Sequence, residues 1–204
     1  MSADEEQTPR NIDIALRSWR QGDFALTDVG FIHLADLDRP LTDSARNAAK
    51  AFAAEGATLG IESVFSHIVG LAVVSQTCDI VRSADKRPYV EVSPLVEVNS
   101  ATLNEVRKRR RPAMAPIPSL LGKRVVVDLD RTMTVEKSIV TTWQRNEGCR
   151  TDEERRAFAA ALARKRARYP FPDEFNPTVS AFKTHAIAAL KKGGEEGAHI
   201  EALE

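Results

Sequence analysis

Five polar or nucleophilic side chains, Ser75, Gln76, Thr77, Cys78 and Asp79, follow directly on an apolar, β-branched run, and Arg82 stands just beyond them. A loop that leaves a buried strand is held in place by that strand, which is why such loops commonly carry function. Cys78 has the chemistry of a nucleophile or ligand, and Asp79 that of a group that orients a base or binds a cation. Gln76 and Arg82 complete the candidate catalytic set. The plainer reading makes Cys78 a small buried residue and Asp79 the cap of a turn. A nucleophilic cysteine needs a base, and the four histidines, His33, His67, His185 and His199, are scattered along the chain. A metal site built from His67, Cys78 and Asp79 has no supporting ligand spacing, so neither a metal nor a cofactor is expected.

The sharpest charge feature is the run Arg107, Lys108, Arg109, Arg110 and Arg111. Consecutive cations repel one another and persist where phosphates or acidic partners neutralise them, which makes these five the candidate nucleic-acid contacts. A solvated helix end explains the same run, because cations also complement the helix dipole. Arg164, Lys165, Arg166 and Arg168 repeat the pattern. No aromatic residue interleaves with either cluster, so base stacking is not indicated there. The chain as a whole has 29 basic and 29 acidic residues, and thus no global field to draw it onto nucleic acid. Asp128, Asp130 and Glu136 flank Arg131 and Lys137, an arrangement that mutual ion pairing at a strand rim accounts for.

These groups need elements to position them. Residues 12–19 suit a short helix or an irregular lead-in, and residues 24–28 and 31–37 read as strands. Residues 42–55 predict a helix: Thr42 or Asp43 caps it, its interior is alanine-rich and Gly56 ends it. Residues 61–67 are ambiguous. Residues 68–74 and 89–98 read as strands, with the polar stretch 77–88 as a turn between them. A helix is expected over 100–111, capped by Ser100 and stopped by Pro112. A proline-rich loop follows over 113–118, then a strand over 123–130. Residues 133–143 favour strand or turn plus strand, because Thr134, Val135, Ile139, Val140 and Thr142 are good strand formers. Thr151 and Glu154 form a capping box for a helix over 152–168. A stiff Tyr169-Pro170-Phe171-Pro172 linker and a last helix from about residue 176 to 192 complete the chain.

Three segments occur in a suggestive order: Gly22-Asp23-Phe24-Ala25-Leu26; Val73-Val74-Ser75 with Val90-Glu91-Val92-Ser93-Pro94-Leu95; and residues 125–137, from Val125-Val126-Val127 to Val135-Glu136-Lys137. Together they resemble the PemK/MazF family of toxin endoribonucleases over residues 22–140, interrupted by the helix at 42–55. The resemblance implies an SH3-like barrel with a C-terminal helix. Two positions depart from the family pattern: Gly70-Leu71 stand where it has an arginine, and Val96-Glu97 where it has a threonine or serine. Cleaving RNA needs a cation on the phosphorane and a group to move the 2′-hydroxyl proton, and Leu71 and Val96 supply neither.

The sequence therefore predicts an α+β protein: a small antiparallel SH3-like β-barrel with an inserted helix and a C-terminal helical extension. Its divisions are a disordered N-terminus at 1–11, a barrel core at 12–145 and the extension at 146–204. The function implied is a nucleic-acid-associated PemK-like toxin or defence module, an altered or inactive endoribonuclease. The alternatives are a non-catalytic protein-interaction module and a cysteine-dependent enzyme using Cys78. RNA, a protein partner or antitoxin, and a second copy in a homodimer are the partners this reading implies. Two cysteines without a CxxC pair exclude a disulfide framework and an all-cysteine zinc site. With no apolar signal segment and no run of membrane-spanning length, a cytoplasmic location away from membranes is expected.

Overall fold

The strand that precedes the candidate loop, β4 (Gly70–Val73), is buried on both faces, and this is why it reads as an unbroken apolar run. In the computed structural model, which describes residues 9–26, 30–167, 184, 185 and 188, it lies inside a six-stranded antiparallel sheet. The sheet order is β1 (Phe24–Ala25), β4, β5 (Tyr89–Glu97), β7 (Val125–Asp128) and β6 (Met114–Ala115). The sixth strand, β8 (Met133–Glu136), pairs with β5 as well. Along one edge β5 meets β4, in the register Ala72↔Ser93. On the other edge its first half meets β8, Glu91 opposite Thr134, and its second half meets β7, Val96 opposite Val126.

Helices cover both faces. On one side α6 (Asp152–Arg166) buries Phe158, Ala161 and Leu162 against Phe24, Ala72, Leu95 and Val127. On the other, Leu16 of α1 (Pro9–Leu16) and Val140 of α5 (Lys137–Thr141) join Trp19, Trp143, Leu71, Val73, Val90 and Val92. The tryptophans meet edge to face at 6.5 Å. A fourth helix, α4 (Ser100–Arg107), seals Val126 with Leu103 and Val106.

The sheet is open, not the closed SH3-like barrel expected. Closure would require β1 to pair with β6. Instead the free edge of β1 is taken by Asn146, whose backbone exchanges two hydrogen bonds with Phe24 at 2.8 and 3.1 Å. With helices on both faces, the sheet has no need to roll up to bury itself.

The inserted helix, α2 (Asp43–Ala54), starts and stops as expected: Thr42 Oγ1 accepts the Ala45 N–H at 3.2 Å, and Gly56 takes φ +69°. It covers one face of a separate hairpin, β2 (Phe31–Asp36) with β3 (Ile61–Ser66), burying Val64 against Ala45 and Ala49.

Several local expectations change. Helix α1 begins at Pro9, inside the stretch expected to be disordered. Asn99, not Ser100, caps α4, its Oδ1 accepting the Thr102 N–H at 2.8 Å. That helix ends at Arg107, and Arg109 turns the chain with φ 59°. Residues 137–141 are helical despite their β-branched content. Burial of Val140 decides, while Thr141 and Thr142 donate their hydroxyls to carbonyls three residues back. Finally, α6 packs into the sheet's own core, so the division into compact units falls between Arg166 and Ala167 and not at 145/146. The capping box of α6 is present: Glu154 N–H donates to Thr151 Oγ1, and Thr151 N–H to Glu154 Oε2, both at 3.2 Å. In the second unit Thr184, His185 and Ala188 are helical; the rest of the helix expected at 176–192, and the 169–172 linker, lie outside the described residues.

Candidate functional site

The segment after β4 is fastened at many points, each by a residue from a different element. Ser75 Oγ accepts the Glu91 N–H at 2.7 Å, keeping the segment against β5. Gln21 donates its side-chain amide to the Val74 carbonyl at 2.9 Å and its backbone N–H to Thr77 Oγ1 at 3.1 Å. A short helix, α3 (Thr77–Ile80), then plugs Ile80 into the core beneath. Asp13 of α1 accepts the Ala84 N–H at 2.7 Å. Lys137 holds the far end twice, its backbone N–H on the Pro88 carbonyl at 2.8 Å and its Nζ on the Arg82 carbonyl at 2.5 Å.

Lys137 is 1% exposed, a rare burial for a lysine. Burial pushes its pKa down; the carboxylates of Asp13 and Asp79 oppose that shift, and the Arg87 guanidinium adds to it. A desolvated lysine bound to a carbonyl is a structural clamp: it gives up hydration in order to satisfy the loop backbone.

The clamped loop forms one wall of a groove of about 410 Å³. Ser75, Gln76, Asp79 and Arg87 come from the loop, Tyr89, Val90 and Glu91 from β5, Thr134 from β8 and Arg166 from the end of α6. Its origin follows from strand alternation. Val90 and Val92 point to the α1/α5 core, so Tyr89 and Glu91 point to the α6 side. That side is apolar where α6 covers it, and polar where α6 ends. Arg166 there makes an ion pair with Glu91, and the neighbouring Lys165 pairs with Asp130. Two cations, two carboxylates, two hydroxyls, an amide and the 57% exposed ring of Tyr89 thus share one concavity.

Of the sequence candidates, Gln76 and Asp79 line this groove. Arg82 does not; it lies 3.8 Å from Asp79 as an ion pair. Cys78 is exposed, its Sγ 3.6 Å from Gln76 Oε1, and no histidine lines the groove. Arg107, Lys108, Arg109, Arg110 and Arg111 are all exposed and none of them lines it; Arg110 approaches Glu105 at 3.9 Å. The second basic cluster is the one that reaches the site, through Arg166. Arg87, Tyr89, Glu91, Thr134 and Lys137 were not singled out as site residues by sequence, although outward alternation in β5 and β8 was a signal for three of them.

Two further features frame the site. A larger cleft of about 650 Å³ lies at the start of α2, lined by Ser44, Ser66, His67 and Arg131 among others. Two of its polar groups bond each other, Ser66 to Ser44 at 3.0 Å, and Arg131 bonds Asp128, which is not part of the lining, at 2.7 Å. Asp23, 1% exposed, accepts from Arg145 Nε at 2.6 Å, Arg20 N–H at 2.8 Å and Gly148 N–H at 3.3 Å, and so ties the groove's supporting segment 20–23 to residues 145–148. Beside it Cys149 is buried and its thiol is pushed up to about 11 by desolvation, which makes it unreactive at neutral pH.

Among the described residues no group of three or more His, Cys, Asp or Glu side chains is placed to hold a metal ion. No described helix is long and apolar enough to cross a membrane. No protein-family model matches the chain, and no curated protein matches it in sequence.

Proposed function

We propose that the protein is a nucleic-acid-associated module of the PemK/MazF kind, an altered or inactive endoribonuclease, and that the groove takes a single-stranded RNA segment. The observation that carries this is the meeting of Arg87 and Arg166 with an exposed Tyr89 in one concavity. Arginines recognise phosphates, and an exposed aromatic ring stacks bases from a single strand without regard to sequence. A duplex hides its base faces and leaves Tyr89 unused. The long β5, shared between β4, β7 and β8, supports derivation of the open sheet from a rolled SH3-like arrangement.

If cleavage is retained, Asp79 or Glu91 takes the 2′-hydroxyl proton as the 2′-oxygen bonds to phosphorus, and Arg87 and Arg166 stabilise the phosphorane charge. The P–O5′ bond then breaks, the leaving O5′ taking a proton from water, to give a 2′,3′-cyclic phosphate and a 5′-hydroxyl. The basic turn at 107–111, outside the groove, adds sequence-independent attraction. The cysteine-enzyme alternative gains less support, because the partner of Cys78 is the Gln76 amide oxygen and not a base.

The test is binding of a labelled ten-nucleotide RNA to wild type and to Tyr89→Ala, read by fluorescence anisotropy. Loss of one base stack weakens binding by about 1–3 kcal/mol, or about five- to over a hundredfold. Equal binding by both proteins, or equal affinity for the matching duplex, overturns the groove assignment. Incubation with unlabelled RNA, beside Asp79→Ala, separates an altered nuclease from an inactive one.

A further inference from the structure

The cleft at the start of α2 holds donors that the fold itself does not use. Its volume, about 650 Å³, is that of a small-molecule site. Three elements converge on it: Asn47 comes from α2, His67 from just past β3, and Arg131 from the turn between β7 and β8. Arg131 is the best prepared of the three. Asp128 Oδ2 accepts from its Nε at 2.7 Å, and the guanidinium lies over the Phe31 ring at 5.6 Å. Those contacts hold the fork in place, yet neither Nη has a hydrogen bond to a described residue. His67 stands edge-on to Phe65 at 5.2 Å. Its imidazole and the Asn47 amide likewise have no hydrogen-bond partner among the described residues. The one carboxylate in the lining, Asp43, has a side chain that is 93% exposed and pairs with Arg46 at 2.7 Å, so it does not occupy these donors.

We propose that this cleft binds a phosphomonoester on a small molecule of nucleotide size, with Arg131 as its anchor. A guanidinium fork meets two phosphate oxygens at once. A tetrahedral phosphate still offers an oxygen to donors on its other sides, here Asn47 and His67. A planar carboxylate held in the fork has none left to offer them. Ala48 and the exposed ring of Phe65 supply an apolar wall for the organic part of the ligand. The cleft shares no lining residue with the groove, so this site stands or falls separately from RNA binding there.

Isothermal titration calorimetry of the full chain with adenosine 5′-monophosphate, up to about 2 mM, tests it. Wild type binds the nucleotide, inorganic phosphate competes and acetate does not, and adenosine binds at least about tenfold more weakly. Arg131→Gln raises Kd at least about tenfold, as loss of bonds to a charged group must, and Asn47→Ala raises it about two- to tenfold. The Asn47 side chain is exposed and unbonded, so its variant reads the site even where Arg131→Gln lowers stability. The Arg87→Ala/Arg166→Ala protein binds the nucleotide as wild type does. A 5′-phosphorylated ten-nucleotide RNA, set against the same RNA with a 5′-hydroxyl, tells a free phosphomonoester from an RNA end. A preference for the phosphorylated RNA that Arg131→Gln abolishes marks the RNA end as the source. No binding up to about 2 mM, or adenosine bound as tightly as its phosphate, overturns the proposal. Affinity unchanged by Arg131→Gln overturns it too, and its loss in the Arg87→Ala/Arg166→Ala protein instead would put the nucleotide in the groove.

Discussion

Replacing Asp23 with alanine is predicted to loosen the groove from a distance. The carboxylate is 1% exposed and accepts from the Arg145 guanidinium and from two backbone N–H groups, those of Arg20 and Gly148. Alanine leaves the buried Gly148 N–H without its acceptor, a loss of about 1–3 kcal/mol. It also strands Arg145; breaking a fully buried pair costs about 3–5 kcal/mol, but this guanidinium is 29% exposed and water recovers part of that. The total is about 3–4 kcal/mol, which for a domain of this size lowers Tm by roughly 10 °C. Asp23→Asn keeps one accepting oxygen but turns the other into an NH2 group that faces an N–H donor, so it falls between wild type and Asp23→Ala. The assay is urea unfolding with the midpoint and m-value followed together, plus a double-mutant cycle with Arg145→Ala. A coupling of at least about 1 kcal/mol between the two sites is expected. An Asp23→Ala midpoint indistinguishable from wild type, or no coupling to Arg145, would refute the argument that this carboxylate joins the two segments.

Other outcomes follow from the same geometry. Lys137→Met keeps the side-chain volume and removes the Nζ bond to the Arg82 carbonyl. Global stability at neutral pH then changes by no more than about 1–2 kcal/mol, while hydrogen exchange over 77–88 accelerates. Because burial lowers the pKa of Lys137 below 10.5, the unfolded chain binds its proton more tightly. Wild-type stability therefore gains from this group as pH rises from the lowered value to 10.5, a gain that the methionine variant lacks. Cys149 acts in the opposite sense: its thiol is raised from 9.0 to about 11, so its contribution is intact below pH 9.0 and is lost as pH climbs through about 11, and Cys149→Ser removes that decline. Glu91→Gln frees Arg166 from its ion pair and is expected to tighten RNA binding about two- to fivefold. Weaker binding by this variant would show that Arg166 does not face the phosphates.

What the sequence revealed was mostly local. The alanine-rich interior of α2, its Thr42 cap and its glycine stop all act within a few residues, and so does the Thr151–Glu154 box of α6. The loop after Val74 was legible too, because a polar cluster leaving an apolar strand is a short-range pattern. Long-range geometry was not. Nothing near Arg166 in sequence says that it meets Glu91, and nothing near Lys137 says that it lies under Arg82. Gly148 drew no attention, yet a Cβ there would stand 1.9 Å from the Gly22 carbonyl oxygen, a constraint made only by the approach of two distant segments. The barrel expectation failed for a related reason: strand propensities identify strands, but Asn146 and the covering helices decide whether the sheet closes.

The central claim is that Arg87 and Arg166 meet phosphates in the groove. Its most direct test is the salt dependence of single-stranded RNA binding by wild type and by the Arg87→Ala/Arg166→Ala protein. Each phosphate contact contributes about 0.7 to the slope of log affinity against log salt, so the double variant should bind more weakly with a slope shallower by about 1.4. A double variant with the wild-type slope and affinity, or a wild type that binds no RNA even at low salt, would contradict the account.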